Sequence, residues 1–334
     1  MSITRISNGV RKNILLISFI LSLPFWWGIN ALAKNLEDFW FLQEITGNSQ
    51  ILTADINQKI LENKIERLKS ERLQTENLKD LEIEAKASIV VEIDNKGNER
   101  ILFEKNSEEP LPIASLTKLM TALVVFDLDE TYSLSQLILI TKVALLQESN
   151  SKYGDLRVGE KLSVENLLHI MLLESSNDAA FALTTPIGEG GFVGLMNFYA
   201  KNVGLGNTQF VNSSGLEPDD SKEPKNFSTT IDLAKLAKYI LENYPQIFEI
   251  TSKQHYEVLK PDGFVHHFIP QNTNKLLGEI PKIIGGKTGW SPEAKGCLLL
   301  ILKNPKGNSY FINVILGSND RFGEMRKIVD ILNI

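Results

Sequence analysis

This 334-residue chain has almost no cysteine, and it has no excess of positive charge. A single cysteine, Cys297, excludes an internal disulfide and a metal site built from several cysteines. It lies in the apolar run "GCLLLILK", where we expect a small buried hydrophobe. The formal net charge of −6 argues against a nucleic-acid partner, because phosphate binding needs a basic face.

Histidine is also scarce, and of the 4 histidines only His266 and His267 are adjacent. Two neighbouring residues of a strand point to opposite faces. We therefore expect no metal site at this pair.

The first 33 residues carry the pattern of an exported protein. Arg5, Arg11 and Lys12 precede an uncharged, mostly apolar run at 14–33. A positive start followed by such a run predicts passage through a membrane. The run is about long enough to span a bilayer, whereas Ala-Leu-Ala at its end is typical of a cleavage site. We therefore expect residues 1–33 to be a membrane anchor or, failing that, a cleaved signal peptide, and the rest to work outside the cytoplasm.

A charged segment separates this start from the body of the chain. Residues 34–84 are rich in Glu, Lys, Asn and Leu, and their apolar positions recur with helical but not heptad spacing. We expect a solvated helical spacer there. Residues 85–334 then read as strands, helices, strands and a closing helix. The strand patterns flank Gly-containing turns, and two of the helical patterns begin at good N-cap residues, at Ser163 and near Ser228. This order of elements predicts an α+β fold in which the first and last strands share an antiparallel sheet and a helical subdomain is inserted between them.

A serine and a lysine lie three residues apart where an apolar helix begins. In "PIASLTKLMTALVVFD", Ser115 and Lys118 share one face of the predicted helix. A serine hydroxyl becomes nucleophilic when a neighbouring base takes its proton, and an apolar setting lowers the pKa of a lysine so that it can serve as that base. A second match to this spacing, Ser149 to Lys152, lies in a polar loop that gives no reason for a neutral lysine. We attribute it to chance.

Two further motifs follow in chain order. Ser175 and Asn177 form S-x-N between two helical patterns. Lys287, Thr288 and Gly289 open an apolar strand, where a glycine lets a ligand approach the backbone and the two polar side chains suit a carboxylate. An ordinary helix cap or Gly-rich turn explains each motif taken alone. Together and in this order, however, S-x-x-K, S-x-N and K-T-G form the motif set of penicillin-binding proteins and class A β-lactamases.

These motifs have neighbouring blocks such as "NDAA", "FVNSSGL", "STTIDLAKLA" and "GGKTGW". With them, residues 85–334 resemble a serine-type D-alanyl-D-alanine carboxypeptidase of the low-molecular-mass penicillin-binding class. The resemblance implies the penicillin-recognising, transpeptidase-like fold, with its active site in a cleft between an α/β part and an all-helical part. It implies that Ser115 attacks the carbonyl between two D-alanines and that Lys118 is its base. Ser175, placed by Asn177, would relay a proton to the leaving group.

The same resemblance implies how the substrate is held. Lys287 and Thr288 would bind its terminal carboxylate, and Gly289 completes that motif. The backbone N–H groups of Ser115 and Trp290 would hold the oxyanion. The implied partners are a peptidoglycan stem peptide and, as inhibitors, β-lactam antibiotics, with a membrane contact through the N-terminal segment. No metal or other cofactor is implied, and the implied location is the cell envelope of a bacterium.

Three positions depart from the family pattern. Ser176 stands where the family usually has glycine in the second motif, and Asn226 stands where a histidine often precedes the "ST-x-DLA" block. The block after K-T-G reads Ala294-Lys295-Gly296-Cys297, where the family usually has Ala-Gly before the cysteine. None of these lies in the three catalytic positions, so we expect them to affect substrate detail.

Other activities could use the same motifs. A DD-endopeptidase that cuts peptidoglycan cross-bridges would differ only in its leaving group. A class A-like β-lactamase typically needs a glutamate with an asparagine four residues later, and the nearest candidate, Glu217, is followed by Ser221. A non-catalytic penicillin-binding sensor would not need intact serines and lysines in all three motifs. We therefore favour the carboxypeptidase.

Overall fold

The computed structural model of the chain describes residues 58–62, 65, 78, 80–147, 153–220, 222–305 and 307–333. The chain divides into two units, Met1–Ser70 and Glu71–Ile334. In the first unit, residues 58–62 are helical and exposed. The predicted anchor or signal at 1–33, most of the predicted spacer and the second S-x-x-K match lie outside the described residues. Within the described ranges, no helix has the length and apolar character needed to cross a membrane.

The second unit follows the predicted order of strands, helices, strands and a closing helix. Its strands are β1 (Ala87–Ile93), β2 (Glu99–Lys105), β3 (Leu111–Pro112), β4 (Leu137–Leu139), β5 (Lys161–Ser163), β6 (Phe227–Ser228), β7 (Tyr256–Leu259), β8 (Val265–Ile269), β9 (Ile283–Ser291), β10 (Lys295–Lys303) and β11 (Tyr310–Ser318). Its α-helices are α1 (Lys118–Asp127), α2 (Val164–His169), α3 (Asn177–Thr184), α4 (Glu189–Val203), α5 (Thr230–Asn243), α6 (Gln246–Thr251) and α7 (Arg321–Leu332).

A five-stranded antiparallel sheet joins the two ends of this unit. Its strand order is β2-β1-β11-β10-β9, and β1 pairs with β11 so that Val90 lies opposite Asn313. The α+β prediction, with the first and last strands in one sheet, is confirmed. Strand β9, which carries K-T-G, lies at the edge of the sheet. Among the described strands, β9 therefore has a neighbour in the sheet on one side only.

The chain between β2 and β9 contains the helices α1 to α6. It also contains three two-stranded ribbons, formed by β3 with β6, β4 with β5, and β7 with β8. The sheet separates two apolar clusters, because side chains alternate along β10. Cys297 and Leu299 belong to the cluster shared with the helical part, and Leu298 and Leu300 belong to the cluster shared with α7. The expectation that Cys297 is a small buried hydrophobe is confirmed, and burial raises the pKa of its thiol to about 12.

Helix caps lie close to the predicted positions. Ser163 caps α2, and its side chain accepts a hydrogen bond from the backbone N–H of Asn166 at 3.2 Å, in agreement with the helical pattern that starts at this serine. Helix α5 is capped by Thr229, which accepts from the N–H of Asp232. The sequence pattern places this start near Ser228, but Ser228 belongs to β6. Side-chain acceptors at these positions satisfy N–H groups that a helix leaves without an internal partner.

Residues on both sides of the predicted boundary at 84/85 pack with the body. Leu78, Ile83 and Ala85 are buried in the cluster that α7 also lines. The backbone N–H of Ala85 donates to the Glu324 carboxylate at 2.9 Å. The end of the predicted spacer thus contributes to the core, while the domain boundary at 85 stays a prediction.

Candidate active site

Ser115 lies in a tight turn that leads into α1. Residues Ala114–Thr117 form a 3₁₀ turn, and the α-helix begins only at Lys118. In a 3₁₀ turn, side chains three residues apart are nearly eclipsed. The Lys118 Nζ accordingly lies 3.0 Å from the Ser115 Oγ. The sequence prediction that these two side chains meet is supported, although the local helix is tighter than predicted.

Lys118 is completely buried. Besides Ser115, its Nζ donates to the Asn177 Oδ1 at 2.6 Å and to the backbone oxygen of Ser214 at 2.7 Å. A neutral amine has two N–H donors and one lone pair. Two donors can satisfy Asn177 and Ser214, which leaves the lone pair for the hydroxyl hydrogen of Ser115. The geometry therefore suits a lysine that takes a proton from the serine.

The loop that supplies the Ser214 oxygen is held to α1 by several contacts. The Thr121 hydroxyl donates to the backbone oxygen of Ser213 at 2.5 Å. Asn226 accepts from the N–H of Val211 at 2.7 Å and donates to the Thr117 hydroxyl at 2.9 Å. Asn226 thus connects this loop to the Ser115 turn, although it replaces the usual histidine. Sequence reasoning missed Ser214, because a backbone oxygen leaves no residue-type signal.

Ser175 occupies a backbone conformation that non-glycine residues seldom adopt. It follows the π-helical turn Ile170–Glu174 and has a φ of 68°, in the left-handed region. Such conformations cost free energy and cluster at functional sites. The next residue, Ser176, caps α3 by accepting from the N–H of Ala179 at 3.2 Å. This contact gives a structural reason for serine where the family usually has glycine.

Lys287 lies beside Ser175 at the edge strand. It is 1% exposed, and its Nζ donates to the Ser175 Oγ at 2.8 Å and to the backbone oxygen of Thr288 at 2.9 Å. Burial holds the pKa of Lys287 well below its usual value, and the positive charges of Lys118 and Arg321 lower it further. A buried cation site of this kind favours an anionic ligand, because an added carboxylate would relieve the repulsion.

Gly289 allows β9 to approach the Ser115 turn. A Cβ built at Gly289 would lie 3.0 Å from the backbone oxygen of Ile113 and 3.2 Å from the backbone nitrogen of Ser115. The sequence pattern suggests the approach of a ligand, whereas the close contact in the structure is with the nucleophile's own turn. The Trp290 side chain is 62% exposed, and the Thr288 hydroxyl donates to the Thr273 hydroxyl at 2.8 Å.

Arg321 is a further cation near this site that the sequence prediction missed. It begins α7, and it lies close enough to Lys287 to lower the pKa of that lysine. Its Nε is buried and has no hydrogen-bond partner among the described residues. An unsatisfied buried donor beside a cation is an arrangement that an anionic ligand would complete. The only sequence signal was an arginine at the start of the closing helix.

The adjacent histidines form a chain between two carboxylates. The prediction that His266 and His267 point apart is wrong, because their Nδ1 atoms lie 2.7 Å from each other. The His266 Nε2 lies 3.0 Å from Glu160, and the His267 Nε2 lies 3.4 Å from Glu174. In the part of the chain that the structure describes, no group of three or more His, Cys, Asp or Glu residues could hold a metal ion.

Relatives of this chain are found among characterised proteins. The chain is 34% identical over 259 residues to the D-alanyl-D-alanine carboxypeptidase DacF of Bacillus subtilis, and the match covers 75% of this chain and 62% of that relative. It is 32% identical over 220 residues to a D-alanyl-D-alanine endopeptidase of Pseudomonas aeruginosa, and this match covers 65% of this chain and 66% of the relative. The chain thus spans less than two thirds of the length of either.

A solved structure with the same fold is penicillin-binding protein D2 of Listeria monocytogenes in its cefotaxime-bound form. It is 29% identical, with a TM-score of 0.64, and the match covers 76% of this chain and 99% of that one. The predicted penicillin-recognising fold is therefore confirmed. The sequence profile of one family matches residues 73–320, which include all three motifs. The chain belongs to the D-alanyl-D-alanine carboxypeptidase family.

Proposed function

We propose that this protein is a serine DD-carboxypeptidase that removes the terminal D-alanine from peptidoglycan stem peptides. The observation that carries the proposal is the 3.0 Å contact between the Lys118 Nζ and the Ser115 Oγ in a buried setting. The nearby pair of Lys287 and Ser175 adds a cation and a second hydroxyl to the same site. A base-activated serine beside a cation suits a substrate that carries both a carbonyl and a carboxylate.

Acylation begins when neutral Lys118 takes the hydroxyl proton of Ser115. The Ser115 oxygen attacks the carbonyl carbon between the two D-alanines, and the carbonyl oxygen becomes an oxyanion. The backbone N–H groups of Ser115 and Trp290 hold this oxyanion. The bond to the leaving nitrogen then breaks as the oxyanion collapses to an ester.

The departing D-alanine needs a proton and a place for its carboxylate. Ser175 relays to the leaving nitrogen the proton that Lys118 took from Ser115, so both side chains return to their starting protonation states, and Asn177 helps to fix Lys118 nearby. Lys287, Thr288 and Arg321 bind the carboxylate of the terminal residue. A water molecule then hydrolyses the ester on Ser115, which releases the shortened peptide and restores the enzyme.

Labelling with a fluorescent penicillin tests the nucleophile. The wild-type protein is expected to form a covalent adduct on Ser115, and Ser115→Ala is expected to form none. Ser149→Ala serves as the control, because it removes the serine of the second S-x-x-K match, and it should label like the wild type. An adduct that persists in Ser115→Ala, or that maps to Ser149, would overturn the assignment.

A second experiment tests the reaction. Incubation with a peptide that ends in Lys-D-Ala-D-Ala, followed by mass spectrometry, is expected to show loss of one alanine. A cross-linked peptidoglycan dimer tests the second candidate, a DD-endopeptidase, which the similarity to a protein of that name supports. Faster cleavage of the dimer than of the linear peptide would favour the endopeptidase.

We further infer that the protein acts in the bacterial cell envelope and binds β-lactams there. The apolar run at 14–33 supports a membrane tether, and the charged segment at 34–84 would hold the catalytic unit away from the bilayer. Fractionation of cells that express the full chain tests the tether. Recovery of the protein in the membrane fraction is expected, whereas release into the soluble envelope fraction would indicate signal cleavage.

A further inference from the structure

Three alternate residues of β9 contact three different parts of the active site. Lys287, Gly289 and Ser291 lie on the same face of the strand, because side chains of a strand alternate. Lys287 bonds to Ser175, and the Cα of Gly289 packs against the Ser115 turn. The Ser291 hydroxyl donates to the Glu217 Oε1 at 2.5 Å. Glu217 therefore lies at the far end of this row from Lys287.

The spacing of residues along β9 indicates where each residue of a bound peptide substrate lies. Two residues of a strand span about 6.6 Å. A peptide with its terminal carboxylate at Lys287 and its scissile carbonyl at Ser115 runs along the edge strand toward Ser291. The residue that precedes the two D-alanines then lies next to Glu217, within reach of a long side chain.

Glu217 is fixed in this place from two sides. The loop that carries Glu217 also carries Gly215. Gly215 packs directly against the backbone oxygen of Ala114, in the turn that holds Ser115. The Ser291 hydroxyl holds its carboxylate from the strand. A carboxylate that is already fixed loses little side-chain entropy when it binds a cation.

Among the residues that the structure describes, no basic side chain pairs with the Glu217 carboxylate. It is half-buried, and it forms no ion pair with any residue that the structure describes. Glu293, beyond the end of the same strand, differs in this respect, because its carboxylate lies 2.5 Å from the Lys225 Nζ. Of these two acidic groups, only Glu217 has an uncompensated charge to offer a ligand.

We propose that Glu217 determines substrate specificity by binding the side-chain ammonium of a diamino acid immediately before D-Ala-D-Ala. This inference rests on the proposed function, because it uses the direction in which a D-Ala-D-Ala peptide lies along β9. The ligand class is a diamino acid whose side chain ends in a free amine. A charge-assisted hydrogen bond between ammonium and carboxylate supplies the recognition.

The test compares two substrates that differ only in this charge. One is a peptide ending in Lys-D-Ala-D-Ala with a free ε-amine, and the other has the same amine acetylated. The ratio of their kcat/KM values is measured in the wild type, in Glu217→Gln and in Glu293→Gln. The wild type should prefer the free amine roughly tenfold. Glu217→Gln should bring the ratio close to one, whereas Glu293→Gln should keep the wild-type ratio.

The ratio is independent of how much enzyme is folded, because both substrates meet the same preparation. Glu217→Lys provides a second reading, since it should favour a peptide with glutamate in place of lysine. If Glu217→Gln keeps the wild-type ratio, or if the wild type does not distinguish the two peptides, the role of Glu217 is overturned while the carboxypeptidase stands. If the wild type cleaves neither peptide, the proposed function itself fails.

Discussion

Gly215 lies so close to Ala114 that a Cβ at Gly215 would be 1.9 Å from the backbone oxygen of Ala114. Both residues have a positive φ, 81° for Gly215 and 45° for Ala114. The loop that carries the Ser214 oxygen and the turn that carries Ser115 are therefore in direct backbone contact. Any side chain at Gly215 must displace one of them.

Gly215→Ala should strongly reduce acylation. The added methyl group collides with backbone rather than with a flexible side chain, and the left-handed φ costs a further ~1–2 kcal/mol. Displacement of the loop removes the oxygen that orients Lys118, so the acylation rate should fall at least about tenfold. The rate is measured with a fluorescent penicillin on protein whose folded fraction is known from its circular dichroism.

Gly206→Ala provides the matched control. A Cβ added at Gly206 would meet no heavy atom within 4 Å, and the backbone there has no positive φ. This variant should acylate at the wild-type rate. Equal rates in the Gly215 and Gly206 variants would show that the backbone contact does not position the nucleophile.

Lys118→Arg should nearly abolish acylation while keeping the positive charge. A guanidinium stays protonated at any ordinary pH and cannot accept the Ser115 proton. Loss of a general base costs about 10²- to 10⁴-fold in rate. Stopped-flow penicillin acylation gives the rate, and Lys152→Arg in the second S-x-x-K match is the control. Substantial acylation by a folded Lys118→Arg protein contradicts the general-base role.

The preference for a free carboxylate at the substrate terminus should weaken as pH rises. Burial depresses the pKa of Lys287, and a bound carboxylate favours the ammonium form, so the complex holds more protons on this group than the free enzyme does. Binding therefore takes up a proton and becomes less favourable with increasing pH. The measurement is the kcat/KM of a free-acid peptide divided by that of its amide. This ratio should be roughly ten- to hundredfold near pH 6, and it should decrease as the pH is raised to about 9.

Two variants of Lys287 separate its charge from its shape. Lys287→Arg keeps a permanent charge, so its ratio of acid to amide should be independent of pH over the same range. Lys287→Ala should lose most of the preference at every pH. If Lys287→Ala keeps the wild-type ratio, the carboxylate contact lies elsewhere, and Lys287 serves proton transfer through Ser175.

His169 should make the protein less stable in mild acid. Burial lowers its pKa from 6.5 to about 4, so between these values the unfolded chain binds a proton that the folded protein rejects. The neutral ring therefore makes its full contribution to folding stability above the pKa of the unfolded state. This contribution is lost as the pH falls toward the pKa of the folded state. The ring stacks on Tyr256 at a centroid distance of 3.7 Å, and phenylalanine preserves that stacking.

Urea unfolding at two pH values tests this prediction. When the pH is lowered from about 7 to 4.5, the free energy of unfolding of the wild type should fall by about 2–3 kcal/mol more than that of His169→Phe. The absolute stability of the variant is not the readout, because phenylalanine also removes the hydrogen bonds of the ring to Glu165 and Lys253. An equal loss in both proteins would mean that His169 titrates alike in the folded and unfolded states.

The features that could be predicted from the sequence are those that depend on short-range geometry. Ser115 and Lys118 meet because three residues of any helix return a side chain to the same face. The strands around Gly-containing turns and the cap at Ser163 follow from the same local rules. The order of S-x-x-K, S-x-N and K-T-G was enough to identify the family, because those side chains carry the chemistry.

The surroundings of those side chains depend on tertiary packing and could not be predicted from the sequence. Lys118 contacts Asn177 and the backbone oxygen of Ser214, which lie 59 and 96 residues away in the sequence. Lys287 contacts Ser175, which is 112 residues away. No local pattern encodes such contacts, since they depend on how the loops and the sheet pack. A backbone oxygen is present in every residue, so the role of Ser214 could not be read from its type. The position of Glu217 likewise depended on which face of β9 meets its loop, and that face is set only by burial of the sheet against the helical part.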